Sequence, residues 1–356
     1  METMRYGINT FQYHYRAARM TALSLSLPTS EPADVARWAQ RAEAAGFQAV
    51  WASEMTSNPF IALAAVAGRT SRIQLGTSIA LAFVRSPWVT ALSALDLDAL
   101  SGGRFVLGLG TGLKRLSERW HGVAYGKPAP HVKECIDVVR LIIERAPRGE
   151  AIRYAGQYYD IDIQGWSRPL APVRPRIPIY LAGLREGMVR TAGEVADGLL
   201  GHPVCSPRWT RDVVLPALAL GLQRSGRRRR DFHFCAAALC AVGRDARAAR
   251  RAAAASIAHY ATVTAFEPIF LSHGFEAPLQ AIHEAFLRGE TEAMIAAVSP
   301  EMVDAFAVAG TPDHVRKKVG IYGELADSLA LSWPEHFLPA DEVEAYREAV
   351  LDLFGR

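Results

Sequence analysis

From Arg72 to Gly112 the chain reads RIQLGTSIALAFVRSPWVTALSALDLDALSGGRFVLGLGTG, and this stretch narrows the possible folds more than any other. Phe105 to Leu109 is apolar at every position except Gly108. Such a run reads as a strand buried on both faces of a parallel sheet. A helix is written just before it. Ser86-Pro87 places a hydroxyl at the N-cap and a proline at the first helical position. Apolar residues follow at Val89, Leu92, Leu95 and Leu100. Ser101-Gly102-Gly103 ends the helix, since glycine accepts the left-handed C-cap conformation. Residues 72–81 form the preceding strand, with Gly76, Thr77 and Ser78 set in it. Gly110-Thr111-Gly112 closes the unit with a turn that lets a ligand approach the backbone.

The same alternation runs through the rest of the chain. Thr21 to Leu27 reads as the first strand, with Arg5 to Thr10 as its rival. Further strands are expected at Gln48–Ser53, Ile179–Ala182, Gly198–Val204, Phe232–Val242 and Ser328–Ser332. Helices are expected at Pro32–Gly46, from Asn58-Pro59, at Val132–Glu144 and Gly187–Ala196, from Ser206-Pro207 to about Arg224, at Asp245–Tyr260, from Thr311-Pro312 and at Ala340–Leu353. Eight strand–helix units imply parallel strands with right-handed crossovers. At 356 residues they favour a closed (β/α)₈ TIM barrel over the alternative, an open doubly wound sheet. Residues 147–178 read as an irregular excursion with a small hairpin after the fourth helix. A helical insertion fills 262–305 after strand seven, and its aromatic residues (Tyr260, Phe266, Phe270, Phe275 and Phe286) are expected to roof a pocket. The whole of 1–356 is read as one barrel domain, with 1–20 as an N-terminal extension.

Composition excludes several functions. A net charge of +4 argues against nucleic acid, which usually demands a strongly basic face. No apolar run approaches a membrane span, and no signal core opens the chain. Four cysteines without CxxC pairing suit reduced thiols in a cytoplasm. His202 and Cys205 lack a nearby third ligand, so no metal is expected. Leu113 breaks the G-x-G-x-x-G pattern begun at Gly108, which disfavours a dinucleotide fingerprint. In a barrel, chemistry sits at the carboxyl ends of the strands.

The segment TSIALAFVRSPWVTALSALDLDALSGGRFVLGLGTG resembles the core of the luciferase-like monooxygenase superfamily, in particular its coenzyme F420-dependent oxidoreductases. Similar blocks occur at Ala44–Trp51, at Leu181-Ala182-Gly183 with Ala192–Gly198, and at Ala309–Pro312. The resemblance implies a barrel that binds F420, or alternatively FMN, at the strand ends. It implies a bulge after strand three at Thr77-Ser78-Ile79, with a non-prolyl cis peptide at Ser78-Ile79, against one face of the ring. Gly110 and Thr111 would border the cofactor. Gly183, Leu184 and Arg185 would cradle its phosphate, which suits a glycine turn, a helix N-terminus and a cation. Gly201 and His202 would line the same mouth. Glu54 and His202 are the candidate catalytic side chains, the former as general acid/base or substrate orienter. Asp96 and Arg104 read as structural, and Arg227 to Arg230 as a solvated helix end. Leu113 and Lys114 stand where sugar-phosphate and alcohol enzymes of the family often carry an acid. The implied activity is hydride transfer between the deazaflavin ring and a small organic substrate. The alternatives are an FMN-dependent monooxygenase and a non-catalytic cofactor-binding barrel. A homodimer is implied by the family's habit.

Overall fold

Eight strands, each parallel to both neighbours, close into a ring in a computed structural model that describes residues 22–28 and 30–355. They are β1 (Ala22–Ser26), β2 (Ala49–Ala52), β3 (Gln74–Thr77), β4 (Phe105–Gly110), β5 (Ile179–Ala182), β6 (Gly198–Leu200), β7 (His233–Val242) and β8 (Ser328–Ser332). Pairing of β1 with β8, and of β7 with both β6 and β8, completes the closure. The open-sheet alternative is thereby excluded. The first strand is the one expected at Thr21–Leu27; the rival at Arg5–Thr10, and the extension 1–20, lie outside the described residues.

The helices begin where the sequence punctuates them. α1 (Pro32–Ala44), α2 (Pro59–Ala67) and α3 (Pro87–Leu100) all open on proline. The Asn58 side chain accepts from the Phe60 amide and the Ser86 hydroxyl from the Val89 amide, so each cap satisfies one otherwise unpaired donor. α3 buries only part of the face its large residues suggest. Val89 and Leu100 are exposed, whereas Ala91, Ala94, Leu95, Leu97 and Asp98 are buried. Asp98 can be buried because Arg174, from the excursion, pairs with it at 2.6 Å. The excursion follows α4 (Pro128–Arg145) and carries the hairpin Ile152–Ala155 with Asp160–Ile163. Arg104 donates to Ser101, Thr70, Ile73 and Ala67 oxygens and ties the end of α3 to the start of β3.

Glycines let the barrel interior fill with groups from other strands. A Cβ on Gly76 would stand 2.5 Å from the Trp51 ring, and one on Gly108 would stand 1.9 Å from the Thr77 carbonyl oxygen. The Thr77 hydroxyl donates to the Gly108 carbonyl at 2.6 Å and accepts from the Gly108 amide at 2.9 Å. Buried polar groups need such pairing, and here it locks β3 to β4 just below the rim.

Two features depart from the expected pattern. After α5 (Glu186–Val195) and α6 (Leu215–Arg224), Arg227 does not face water as expected. It donates to the carbonyl oxygens of Gly193 and Ala196, satisfying the orphan acceptors at the end of α5. The second departure is an unforeseen strand, Ala307–Gly310, which pairs with Leu239–Val242. β8 pairs with β7 only as far as Leu239–Ser332, so Cys240 to Val242 run past the end of β8. α7 (Ala246–Ala261) then turns back toward the rim. With the helices of 264–306 it forms a core of its own around Ile257, Phe270, Ile282 and Met302. α8 (Pro312–Gly320) and α9 (Ala340–Phe354) complete the outer layer.

Gly108→Ala should lower the unfolding free energy by about 3 kcal/mol, the upper end of overpacking costs, because the clash is with backbone. Gly68→Ala, where the nearest atoms lie at 3.9 Å, should change it by less than about 0.5 kcal/mol. Urea unfolding of the two variants checks both.

Candidate functional site

Consecutive strands of a closed parallel barrel end on one rim, so the predicted residues after β2 to β6 share it. The Ser78–Ile79 peptide bond is cis, and both residues are half-buried. The Ile79 side chain lies across Gly110, where a Cβ would stand 2.1 Å from its Cδ1. Residues Ala80–Leu81 resume pairing, with Leu109–Gly110. Thr77 is fully buried and its hydroxyl is spent on Gly108, so it holds the bulge from below rather than facing a ligand.

Glu54 braces that bulge. Its amide donates to the Ile79 carbonyl at 3.1 Å, and its Oε2 accepts from the Leu81 amide at 2.7 Å. Arg85 forks onto both carboxylate oxygens. The pair is mostly buried, with side-chain exposures of 18% for arginine and 11% for glutamate. Both oxygens are engaged, which is the geometry of a structural carboxylate.

Thr111 is half-buried at the end of β4. Its hydroxyl accepts from the Tyr125 hydroxyl at 3.0 Å, and Tyr125 also donates to the Gly112 carbonyl at 3.1 Å. His131 Nδ1 bonds the Tyr125 carbonyl at 2.9 Å, and its Nε2 bonds the Tyr159 hydroxyl at 3.1 Å. The Tyr125 and His131 pair, which sequence reasoning missed, therefore fixes Thr111 from behind.

The loop after β5 leads into the N-terminus of α5, whose first turn carries the acidic Glu186. Gly183 donates to the Leu200 carbonyl at 3.1 Å, and the Leu184 carbonyl is pinned by Trp209 Nε1 at 2.7 Å. Arg185 is exposed and stands at the N-cap of α5 without a side-chain cap. The first-turn amides of α5 have no intrahelical acceptor and carry the positive end of the helix dipole.

Gly201 and His202 follow β6. His202 Nδ1 accepts from the Val204 amide at 3.1 Å. Its ring meets Tyr260 at 5.3 Å and Phe266 at 4.7 Å between centroids. Only these two of the five aromatic residues expected to roof the pocket reach it. Phe270 is buried in the insertion's own core and Phe286 is half exposed.

The model of the luciferase-like monooxygenase family matches residues 10–328. The chain belongs to the luciferase-like monooxygenase family. A relative from Mycobacterium tuberculosis, provisionally named a coenzyme F420-dependent oxidoreductase, is 31% identical, with 82% of this chain and 88% of that one covered. A 5,10-methylenetetrahydromethanopterin reductase from Archaeoglobus fulgidus is 30% identical, over 78% of this chain and 82% of its own. The solved structure of a coenzyme F420-dependent tetrahydromethanopterin reductase from Methanopyrus kandleri superposes with a TM-score of 0.78 at 24% identity, covering 93% of this chain and 97% of that one.

The luciferase-like rim holds one group of side chains that no motif announced. After β8, His336 stacks on His259 with centroids 3.8 Å apart, and Tyr260 stands 5.5 Å from His336. Phe337 beside it is the described non-glycine residue with positive φ, at 60°. Burial pushes the imidazoles of His202 and His336 down to about 4, and neighbouring His259 and His202 add to the effect at His336. The His259 imidazole is also lowered by burial, and the Tyr260 phenol is raised by burial and by the Glu335 carboxylate.

Two outcomes follow. Glu54→Gln should destabilise the fold by about 2 kcal/mol, since Arg85 is left half-buried without its counter-charge; Glu54→Gln with Arg85→Met should recover part of that loss in urea unfolding. The folded-state pKa of His336 lies below its ordinary 6.5. Between pH 6.5 and 4 the unfolded chain therefore binds more protons, and stability falls on acidification. His336→Phe should flatten that slope by at most about 1.4 kcal/mol per pH unit, read from unfolding free energies at pH 7.0, 5.5 and 4.5.

Proposed function

We propose that this luciferase-like protein is a coenzyme F420-dependent oxidoreductase that exchanges hydride between the deazaflavin ring and a small organic substrate at the rim described above. The observation that supports this most directly is the bulge at Ser78–Ile79, laid over the side-chain-free Gly110 and clamped by Glu54 and Arg85. It offers a flat, rigid, partly apolar support beside an anion-binding helix terminus. The residues present suit such a group. Ser78, Ile79, Gly110 and Thr111 would border the ring. Gly183, Leu184, Arg185 and the first turn of α5 would hold its phosphate, and Gly201 and His202 would close the mouth. When bound, the cofactor supplies the two-electron chemistry; the protein supplies orientation and exclusion of water. The 31% and 30% identical relatives, one named for F420 and one a methylenetetrahydromethanopterin reductase, favour this reading over FMN.

Glu54 acts here as a positioning residue, because both its oxygens are held by Arg85 and the Leu81 amide. His202, whose Nδ1 accepts from the Val204 amide, keeps its Nε2 free across the mouth.

Titration of the full chain with F420, followed by intrinsic tryptophan fluorescence, should give a saturable quench that a tenfold excess of FMN does not displace. Arg185→Ala should weaken F420 by about fivefold, the usual worth of one exposed charge-assisted contact, and leave urea stability unchanged. Saturable FMN binding with no response to F420 would replace this reading with the monooxygenase one.

A further inference from the structure

The group around Tyr260 is built from three separate parts of the chain, and of its members only His202 is assigned to the cofactor. His202 comes from the loop after β6, His259 and Tyr260 from the end of α7, and His336 from the loop after β8. Centroid separations of 5.3 Å (His202–Tyr260), 5.5 Å (Tyr260–His336) and 3.8 Å (His259–His336) make them one continuous wall. α7 reaches the rim because β7 overruns β8 and the chain turns back.

The protonation of this wall can be read from its bonds. His202 Nδ1 accepts from an amide, so its proton sits on Nε2. His336 Nδ1 is buried without any partner. A buried N–H without an acceptor is the rarer and costlier arrangement, which puts the His336 proton on Nε2 as well. Among the described residues neither Nε2 has a hydrogen-bond partner, nor does the Tyr260 hydroxyl, and none of the three is sealed from solvent. The wall therefore presents three unpaired donors from neutral groups. Among the described residues no three His, Cys, Asp or Glu side chains are disposed to hold a metal ion, which removes the obvious rival use of three clustered histidines.

We infer that His202, Tyr260 and His336 form the substrate-facing wall of the mouth, and that it takes a neutral molecule through a carbonyl oxygen. This rests on the reading that the opposite side of the mouth carries the cofactor. A carbonyl oxygen has two lone pairs and no proton, the complement of neighbouring N–H and O–H donors. A carboxylate or phosphate is disfavoured for the reason that keeps these histidines uncharged: burial penalises net charge. The charged group that bears on the wall is the Glu335 carboxylate, acting on Tyr260, and it repels anions further. His259, stacked behind His336, holds that ring in place and is the positioning residue of the set.

The test uses the full chain labelled with ¹³C at histidine Cε1, with F420 present, and two probes of like shape: cyclohexanone and cyclohexanecarboxylate. Cyclohexanone should move the His202 and His336 signals saturably, and the carboxylate should move neither by more than a fifth as much at equal concentration. His336→Phe should weaken cyclohexanone by about tenfold, one hydrogen bond's worth, with F420 affinity held within twofold. His336→Gln, which restores a donor, should recover most of the loss. The inference is overturned if cyclohexanone leaves both signals unmoved, or if the carboxylate shifts them more. It is also overturned if His336→Phe weakens F420 as much as the ketone. If the ketone moves His336 in a chain that binds neither F420 nor FMN, the wall stands and the cofactor reading falls. The two-probe comparison uses the unaltered chain, so a variant that fails to fold leaves the inference open to refutation.

Discussion

The hydroxyl of Thr77 and the backbone of Gly108 share a reciprocal pair of hydrogen bonds inside the barrel, and the site depends on them. Gly108 has no side chain, so the Thr77 carbonyl can sit where a Cβ would be. With β3 and β4 locked at that level, β3 stops at Thr77 and the chain breaks from the sheet at Ser78. Ladder pairing resumes only at Ala80–Leu81. The bulge is thus a consequence of where the lock is placed. Glu54 then takes up the groups the bulge exposes, with its amide on the Ile79 carbonyl and its carboxylate on the Leu81 amide. A β-bulge next to a functional rim re-aims what the strand presents; here it presents the half-buried Ser78 and Ile79.

A second constraint builds the other half of the mouth. β7 is ten residues long, whereas its neighbours β6 and β8 have three and five. An unpaired overrun would leave amides and carbonyls without partners, and Ala307–Gly310 supplies them. That short strand ends the insertion, so the insertion is tied to the rim at both ends. α7, packed through its alanines, comes close to the sheet because it has so little side-chain bulk. The result places His259 and Tyr260 over the rim, far from the position that a helix following β7 in a plain barrel would reach.

Much of this was legible in the sequence. Strand ends, proline-initiated helices and the paired glycines pointed to the barrel, and the family resemblance carried by the block from Thr77 to Gly112 implied the bulge at Ser78–Ile79. What was not legible has a common cause. The strand Ala307–Gly310 is Ala-Val-Ala-Gly, too short and too small to stand out by periodicity, and it exists because β7 needs a partner. The buried face of α3 was only partly visible because, beside Leu95 and Leu97, its packing residues are alanines and an aspartate whose arginine lies 76 positions away. Glu54 carried the signal of an acid at a strand end, but nothing local revealed that Arg85 and the Leu81 amide would occupy it. The wall around Tyr260 joins residues from 202 to 336, and no single window of sequence contains it. A weak signal was present: Trp333 to Phe337 crowds aromatic and titratable residues just beyond a strand's carboxyl end, where a barrel keeps its chemistry.

The two halves of the mouth are opposite in character, and the division follows from how each is built. The side from β3 to β5 is formed by backbone: a bulge, glycines and a helix terminus, with Arg185 as the exposed cation beside it. Backbone amides and a helix dipole suit the flat, anionic group proposed above. The side from β6 to β8 is formed by side chains on loops and at the end of α7, the histidines among them held neutral by burial. Side chains on loops can be exchanged without disturbing the ring of strands, so this is where one barrel can be turned to different substrates. On the proposed reading, the backbone-built half would hold the cofactor while the half built from side chains would select the molecule that meets it. The proposed His202–Tyr260–His336 wall would be the form that choice takes in this chain.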